Sequence, residues 1–314
     1  MFEFLGWLLP PVAGVADGLT RGIIKLTKVH KFILIGFGFL FALPYYLGWL
    51  MIEGIPVVQP LFWKTVAFHV PLMILALILQ VEAHRCSPLI LTAPYLSLTP
   101  AFLLIISPIL GGGRMTVWGV IGVLIITVGL YLLNTKTETD SQNVSLLAPL
   151  RQLKKEKGSR YMLWVSFLFA VTSNLDYLAF KNSSLPFYLA IDHGLIGIIC
   201  VILALIYRTS GRIKPKEITP KGSWRILMLM GVALACSTIP FLLALIWNPV
   251  VPYAISGKRI GMILTTVGIG LVISVIKRFR GRHSEEHAQL KCRIPGILLM
   301  IIGMVIIIYW GKIQ

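Results

Sequence analysis

Acidic residues are scarce in this sequence: 12 Asp and Glu stand against 29 Lys and Arg, and all charged residues together make up only 13% of its 314 positions. A soluble domain carries about 25% charge, so this thin polar complement excludes an ordinary water-exposed globule. Cysteine is equally sparse. Cys86, Cys200, Cys236 and Cys292 lie far apart and form no CxxC pair or Cys/His cluster, which argues against a zinc ribbon, a dithiol centre or a disulfide framework. No metal and no cofactor is expected. The chain also lacks a G-x-G-x-x-G, a P-loop, a G-x-S-x-G and an H-E-x-x-H. With no paired carboxylates set for acid and base work either, it is not expected to be an enzyme. The first residues lack a basic stretch and a small-residue cleavage site, and Pro10 and Pro11 interrupt their apolar run, so they read as a retained helix and not as a signal peptide.

What is abundant is apolar sequence: 57% of residues are hydrophobic and the mean hydropathy is +0.84. A bilayer core about 30 Å thick requires roughly 20 apolar residues per spanning helix, because lipid offers backbone amides no partner. Ten segments meet this length: 4–24, 32–52, 65–81, 89–110, 115–133, 161–180, 187–207, 224–247, 251–276 and 294–310, the third being the shortest. Trp49, Trp63, Trp118, Trp224, Trp247 and Trp310 fall near segment ends, where indole favours the membrane interface. The expected fold is therefore all-α, a polytopic membrane protein of about ten transmembrane helices.

The net charge of +17 does not point to nucleic acid, because the cations sit between the apolar runs. One set of alternate loops holds 22 Lys and Arg and the opposite set only Lys64, Arg114, Lys181 and Lys312. The positive-inside rule then places both termini away from the cytoplasm and the basic face against anionic lipid. A multi-pass protein of a prokaryotic plasma membrane is expected. Residues 138–159 form a basic linker whose SLLAPLRQLKKEK run has the composition of either a helix lying on lipid or a solvated connection.

That linker divides the chain into 1–137 and 160–314, with five helices in each. Pro94 and Tyr95 recur as Pro252 and Tyr253, 158 residues on, and Lys25 recurs as Lys181, 156 residues on, close to half the chain length of 314. An odd number of helices per half makes the second repeat inverted with respect to the first.

An ionisable group within a spanning helix costs roughly 2.5–3.5 kcal/mol on insertion scales, so each one marks a cavity or a partner. Asp17, Arg21 and Lys25 lie four apart, on one face of the first helix, where Asp17 and Arg21 are placed to pair. Lys258 and Arg259 follow Gly257 on the ninth helix, Lys258 lying ten residues after Asn248, about 15 Å into the hydrocarbon at 1.5 Å per residue. Two adjacent cations at that depth call for a carboxylate from another helix or an anionic substrate. Asn174 and Asp176 on the sixth helix, with Asp192 and His193 on the seventh, are candidates for charge balance, substrate contact or proton coupling. His69, Glu82 and His84 are weaker candidates. Gly111 to Gly113 read as a tight turn. Pro94 and Pro100 on the fourth helix and Pro249 and Pro252 on the ninth break the helical ladder where transporters build their sites. The expected substrate-binding set is Lys258, Arg259, Arg21, Asn174, Tyr95 and Tyr253, with Asp17, Asp176, Asp192 and His193 balancing charge or carrying protons.

The run HRCSPLILTAPYLSLTPAFLLIISPILGGGRMTVWGVIGVLIITVGLYLL resembles the fourth and fifth helices of the EamA-like drug/metabolite transporter superfamily. SGKRIGMILTTV is similar to the Lys-Arg element of its branch containing triose-phosphate and nucleotide-sugar translocators. The resemblance implies two five-helix repeats around a central site, and implicates Lys258 and Arg259 in contact with a substrate phosphate. GGGR stands where the family commonly has a Gly-Glu turn, and the expected orientation is opposite to that usual for ten-helix members. The function so implied is secondary transport of a small anionic metabolite. The competing readings are export of amino acids or hydrophobic drugs, and a lipid flippase or lipid-modifying membrane enzyme.

Overall fold

The computed structural model describes residues 2–27, 29–87, 95–135, 153, 156–210, 223–262, 265 and 286–311. Those residues are helical throughout, with short connections and no strand among them. The helices are α1 (Phe2–Leu26), α2 (Lys31–Glu53), α3 (Pro60–Cys86), α4 (Thr99–Leu110), α5 (Val117–Thr135), α6 (Lys157–Lys181), α7 (Leu185–Thr209), α8 (Ser223–Trp247), α9 (251–262) and α10 (Glu286–Trp310). Each of the ten apolar segments corresponds to one of them. Five, α2, α3, α6, α7 and α8, are long and apolar enough over their described lengths to cross a membrane. The third segment, expected to be the shortest, is instead a helix of 27 residues. Pro60 sits at its first turn, where the missing N–H costs nothing, and its polar ends are accommodated. The Lys31 ammonium bonds the Glu82 carboxylate, and the Arg85 guanidinium bonds the Val29 carbonyl. The linker lies outside the described residues up to Glu156, Leu153 apart, as do Pro94 and the ends of the fourth and ninth segments.

The outer surface is apolar and the polar groups are inside, the reverse of a soluble bundle. On α1, Leu8, Val12, Val15 and Leu19 form an exposed stripe at helical spacing while Ala13, Ala16, Thr20 and Arg21 are buried. Trp63, Trp118, Trp224 and Trp310 are all more than 45% exposed. An exterior of this kind is matched to hydrocarbon and to its interface.

Apart from α9, the helices pack most broadly as α5 with α10, α2 with α7, α3 with α6, and α1 with α8. As a set they are unchanged when every helix is exchanged for the one five places along. Contacts run in opposite directions along each of the first three pairs. Phe32 meets Tyr207 while Tyr46 meets His193, and His69 meets Asp176 while the Gly158 backbone lies against Ala83 and Ser87. On α5 and α10, Gly122 faces Gly303 and Gly129 faces Gly296. A methyl group added at Gly122 would lie 2.8 Å from the Gly303 carbonyl oxygen, and one at Gly303 would lie 2.7 Å from that of Gly122. Backbone cannot step aside as a side chain can. Gly122→Leu is therefore expected to cost about 1–3 kcal/mol, read as a lowered thermal midpoint of the detergent-solubilised protein. An unchanged midpoint would show that the two helices do not depend on this close approach.

Gly111 and Gly113 adopt positive φ, 75° and 94°, so the three-glycine segment is a turn that only glycine makes without strain. The carbonyl of Gly112 accepts the Val251 amide at 3.0 Å, which fixes the start of α9 against the end of α4.

Candidate functional site

A cavity of about 120 Å³ lies among α1, α2, α3, α6, α7, α8 and α9, enough for several waters or part of a small polar molecule. Asp17, Arg21, Asp176, His193, Lys258 and Arg259 line it together with Gln80, Ser173, Thr238 and Tyr188. Helices distant in sequence thus bring six of the ten expected site residues to one chamber.

Its basic wall is built on α1 and α9. Arg21 donates to Asp17 Oδ2 from Nη2 at 2.7 Å and from Nε at 3.3 Å, the pair expected from their spacing of four. Arg259 Nη1 lies 3.8 Å from the same carboxylate oxygen. Close approach of α9 to α1 makes this possible: Gly14 lies against the Lys258 backbone, and Gly257 and Gly261 against Pro10 and Pro11. Arg259 Nη2 donates to Thr99 Oγ1 at 3.2 Å, and Thr99 Oγ1 is 2.8 Å from Ser166 Oγ. The Arg259 side chain is only 4% exposed, yet among the described residues its Nε–H has no hydrogen-bond partner. Lys258 Nζ rests over the Phe241 ring, 4.8 Å from its centre, and makes no ion pair among the described residues. Among the described residues Asp17 thus pairs with two of the three cations on this wall, Arg21 and Arg259, and Lys258 is left with the ring alone.

The opposite wall is acidic. His69 Nδ1 donates to Asp192 Oδ1 at 2.7 Å, while its Nε2 lies 3.0 Å from Asp176 Oδ1, at ion-pair distance but outside hydrogen-bond angles. Tyr188 donates its hydroxyl to the same Asp176 oxygen. His193 stands instead among rings, 4.6 Å from Phe39 and 4.9 Å from Tyr46 between centroids.

Three residues of the expected substrate set do not reach the cavity lining. Asn174 is fully buried and donates to the Ala170 carbonyl at 2.8 Å, beside Gly112. Tyr253 is buried beneath Trp7, with its hydroxyl accepting the Thr116 amide at 3.2 Å, and Tyr95 packs in the same apolar cluster. Tyr95 and Tyr253 lie at the starts of the fourth and ninth helices, where packing of the short connections takes up the side chain, whereas Asn174 lies against the glycine turn at Gly112, off the face of α6 on which Phe169, Thr172, Ser173 and Asp176 line the cavity. Asp192 stands one layer behind the lining, reached through His69. The side chain of Lys25 lies outside the described residues. Among the described residues no cluster of His, Cys, Asp and Glu is arranged to hold a metal ion.

Fold and site together define the class: an all-helical chain with apolar faces outward and a charged chamber within. No protein-family model matches it, and no curated protein matches it. Solved structures do resemble it. One, described as "Crystal structure of protein", superposes with a TM-score of 0.62 at 14% identity, covering 97% of this chain and 94% of its own. At that identity the likeness establishes a shared fold along nearly the whole length and nothing of activity.

Proposed function

We propose that this chain is a secondary transporter of a small anionic metabolite, bearing phosphate or carboxylate, which it moves by alternating access. Ten spanning helices form two inverted five-helix repeats, as in the EamA-like transporters whose helix-four and helix-nine runs the sequence resembles. The pairing of helices under a shift of five, and the opposite running of partners from the two halves, support the repeat. The α1 and α9 helices meet at the centre and carry the substrate site.

One observation carries the anion reading: Lys258 and Arg259 share a chamber with Arg21, and among the described residues Asp17 is the one carboxylate within ion-pair distance of any of the three. A bound anion would supply the missing charge and accept the unpaired Arg259 Nε–H. Amino-acid or cationic drug export would require the acidic wall to face substrate unencumbered, whereas Asp176 is occupied by His69 and Tyr188. The basic loops bear on anionic lipid at the cytoplasmic face of a plasma membrane.

A thermal-shift series on the purified protein tests the reading, using inorganic phosphate, phosphorylated sugars, dicarboxylates and, as opposites, organic cations. A true ligand at a hundred times its dissociation constant stabilises by about 2.7 kcal/mol. The expected result is stabilisation by anions alone. A shift produced only by cations would overturn it.

A further inference from the structure

We propose that Asp176, His69 and Asp192 form the binding site for a coupling proton, so that the anion is carried together with H⁺. This rests on the anion site above and extends it to the energy source. His69 is fully buried, about two and a half turns into α3, with a carboxylate from α6 at one ring nitrogen and a carboxylate from α7 at the other. An imidazole can donate at both nitrogens only as imidazolium, and as a neutral ring it leaves one carboxylate without a proton to share. The cluster thus has two protonation states that differ in how it ties three helices together.

Its neighbours leave proton exchange to these groups. Tyr188 and His193 from α7 and Tyr46 from α2 face the cluster; Tyr188 donates to Asp176, and His193 is turned into the rings of Phe39 and Tyr46. Asp192 is 1% exposed and Asp176 15% exposed, with Asp176 lining the cavity. Protons therefore reach the buried pair from the chamber, by way of Asp176. Asp176 and Lys258 line the same chamber, and two charges facing one small low-dielectric cavity act on one another across it. An anion arriving at Lys258 and Arg259 screens their positive field from the acidic wall and raises its affinity for a proton. The sign of the linkage is proton uptake on anion binding, the requirement for symport.

The test is isothermal titration of sulfate into the solubilised full-length protein, in two buffers of different ionisation enthalpy at the same near-neutral pH. Sulfate is a dianion throughout this range, so every proton counted belongs to the protein. The native chain is expected to take up about one proton per sulfate bound. His69→Gln and, as a milder replacement that keeps the imidazole, Asp192→Asn are expected to bind sulfate with that uptake largely lost. A cluster with a merely structural role would lower the melting temperature of the variants and leave the proton count unchanged. Sulfate binding by the native protein without proton exchange would overturn the coupling and leave the anion site standing, as would full uptake in both folded variants. If the native chain bound none of sulfate, inorganic phosphate, phosphorylated sugars and dicarboxylates, the anion reading and the coupling built on it would both fall.

Discussion

Lys258→Ala and Arg259→Ala are each expected to reduce exchange of labelled inorganic phosphate across proteoliposomes to near background while the protein stays folded. A hydrogen bond to a charged group in a dry site is worth about 1.5–3 kcal/mol, which is roughly 10- to 150-fold in affinity for each cation removed. The folding argument runs the other way from the binding argument. Among the described residues Lys258 has the Phe241 ring beneath its ammonium and no ion-pair partner, so its removal takes away an uncompensated charge and should not lower stability. Arg259→Ala leaves Asp17 still paired with Arg21 and Thr99 still bonded to Ser166. Neither variant strands a carboxylate. Loss of exchange with an undiminished thermal midpoint therefore reports the site itself. Unchanged exchange in both variants would remove their role and return the acidic wall to consideration.

Much of this architecture is legible in the residues because lipid imposes a severe rule. Backbone groups must be paired within each helix, so apolar run length alone announces ten helices, and each appears. The Asp17 and Arg21 pair was likewise readable from a spacing of four. His69 ranked only as a weaker candidate, and the cause is a boundary. Counting the third helix from Thr65 puts His69 barely one turn inside it; counting from Pro60, where the helix starts, puts it about two and a half turns in at 3.6 residues per turn. There the same cost that singles out Lys258 applies to an imidazole. Lys64 disguised that first turn as a loop, although Pro60 marked a helix start. Thr99 and Tyr188 were beyond reach for another reason. Their roles depend on which helices touch, and periodicity in one helix carries no information about its neighbour.

Asp17 is where stability and binding meet, and Asp17→Ala is expected to be the most damaging single change. It would leave Arg21, Lys258 and Arg259 around one chamber with no carboxylate on their wall. Removing one partner of a buried ionic cluster costs about 3–5 kcal/mol, because the remaining charges keep their desolvation penalty. Two further measurements separate this account from a simple packing defect. Asp17→Ala combined with Arg21→Met should recover part of the lost stability, since the second change removes one of the stranded cations. Saturating sulfate should raise the thermal midpoint of Asp17→Ala by more than that of the native protein, because the anion then replaces the missing carboxylate as well as filling its own place. A packing defect would make the two losses add and would leave the sulfate effect no larger than in the native chain. The outcome thus turns on whether one negative charge, from protein or from ligand, is what this arrangement of three cations requires.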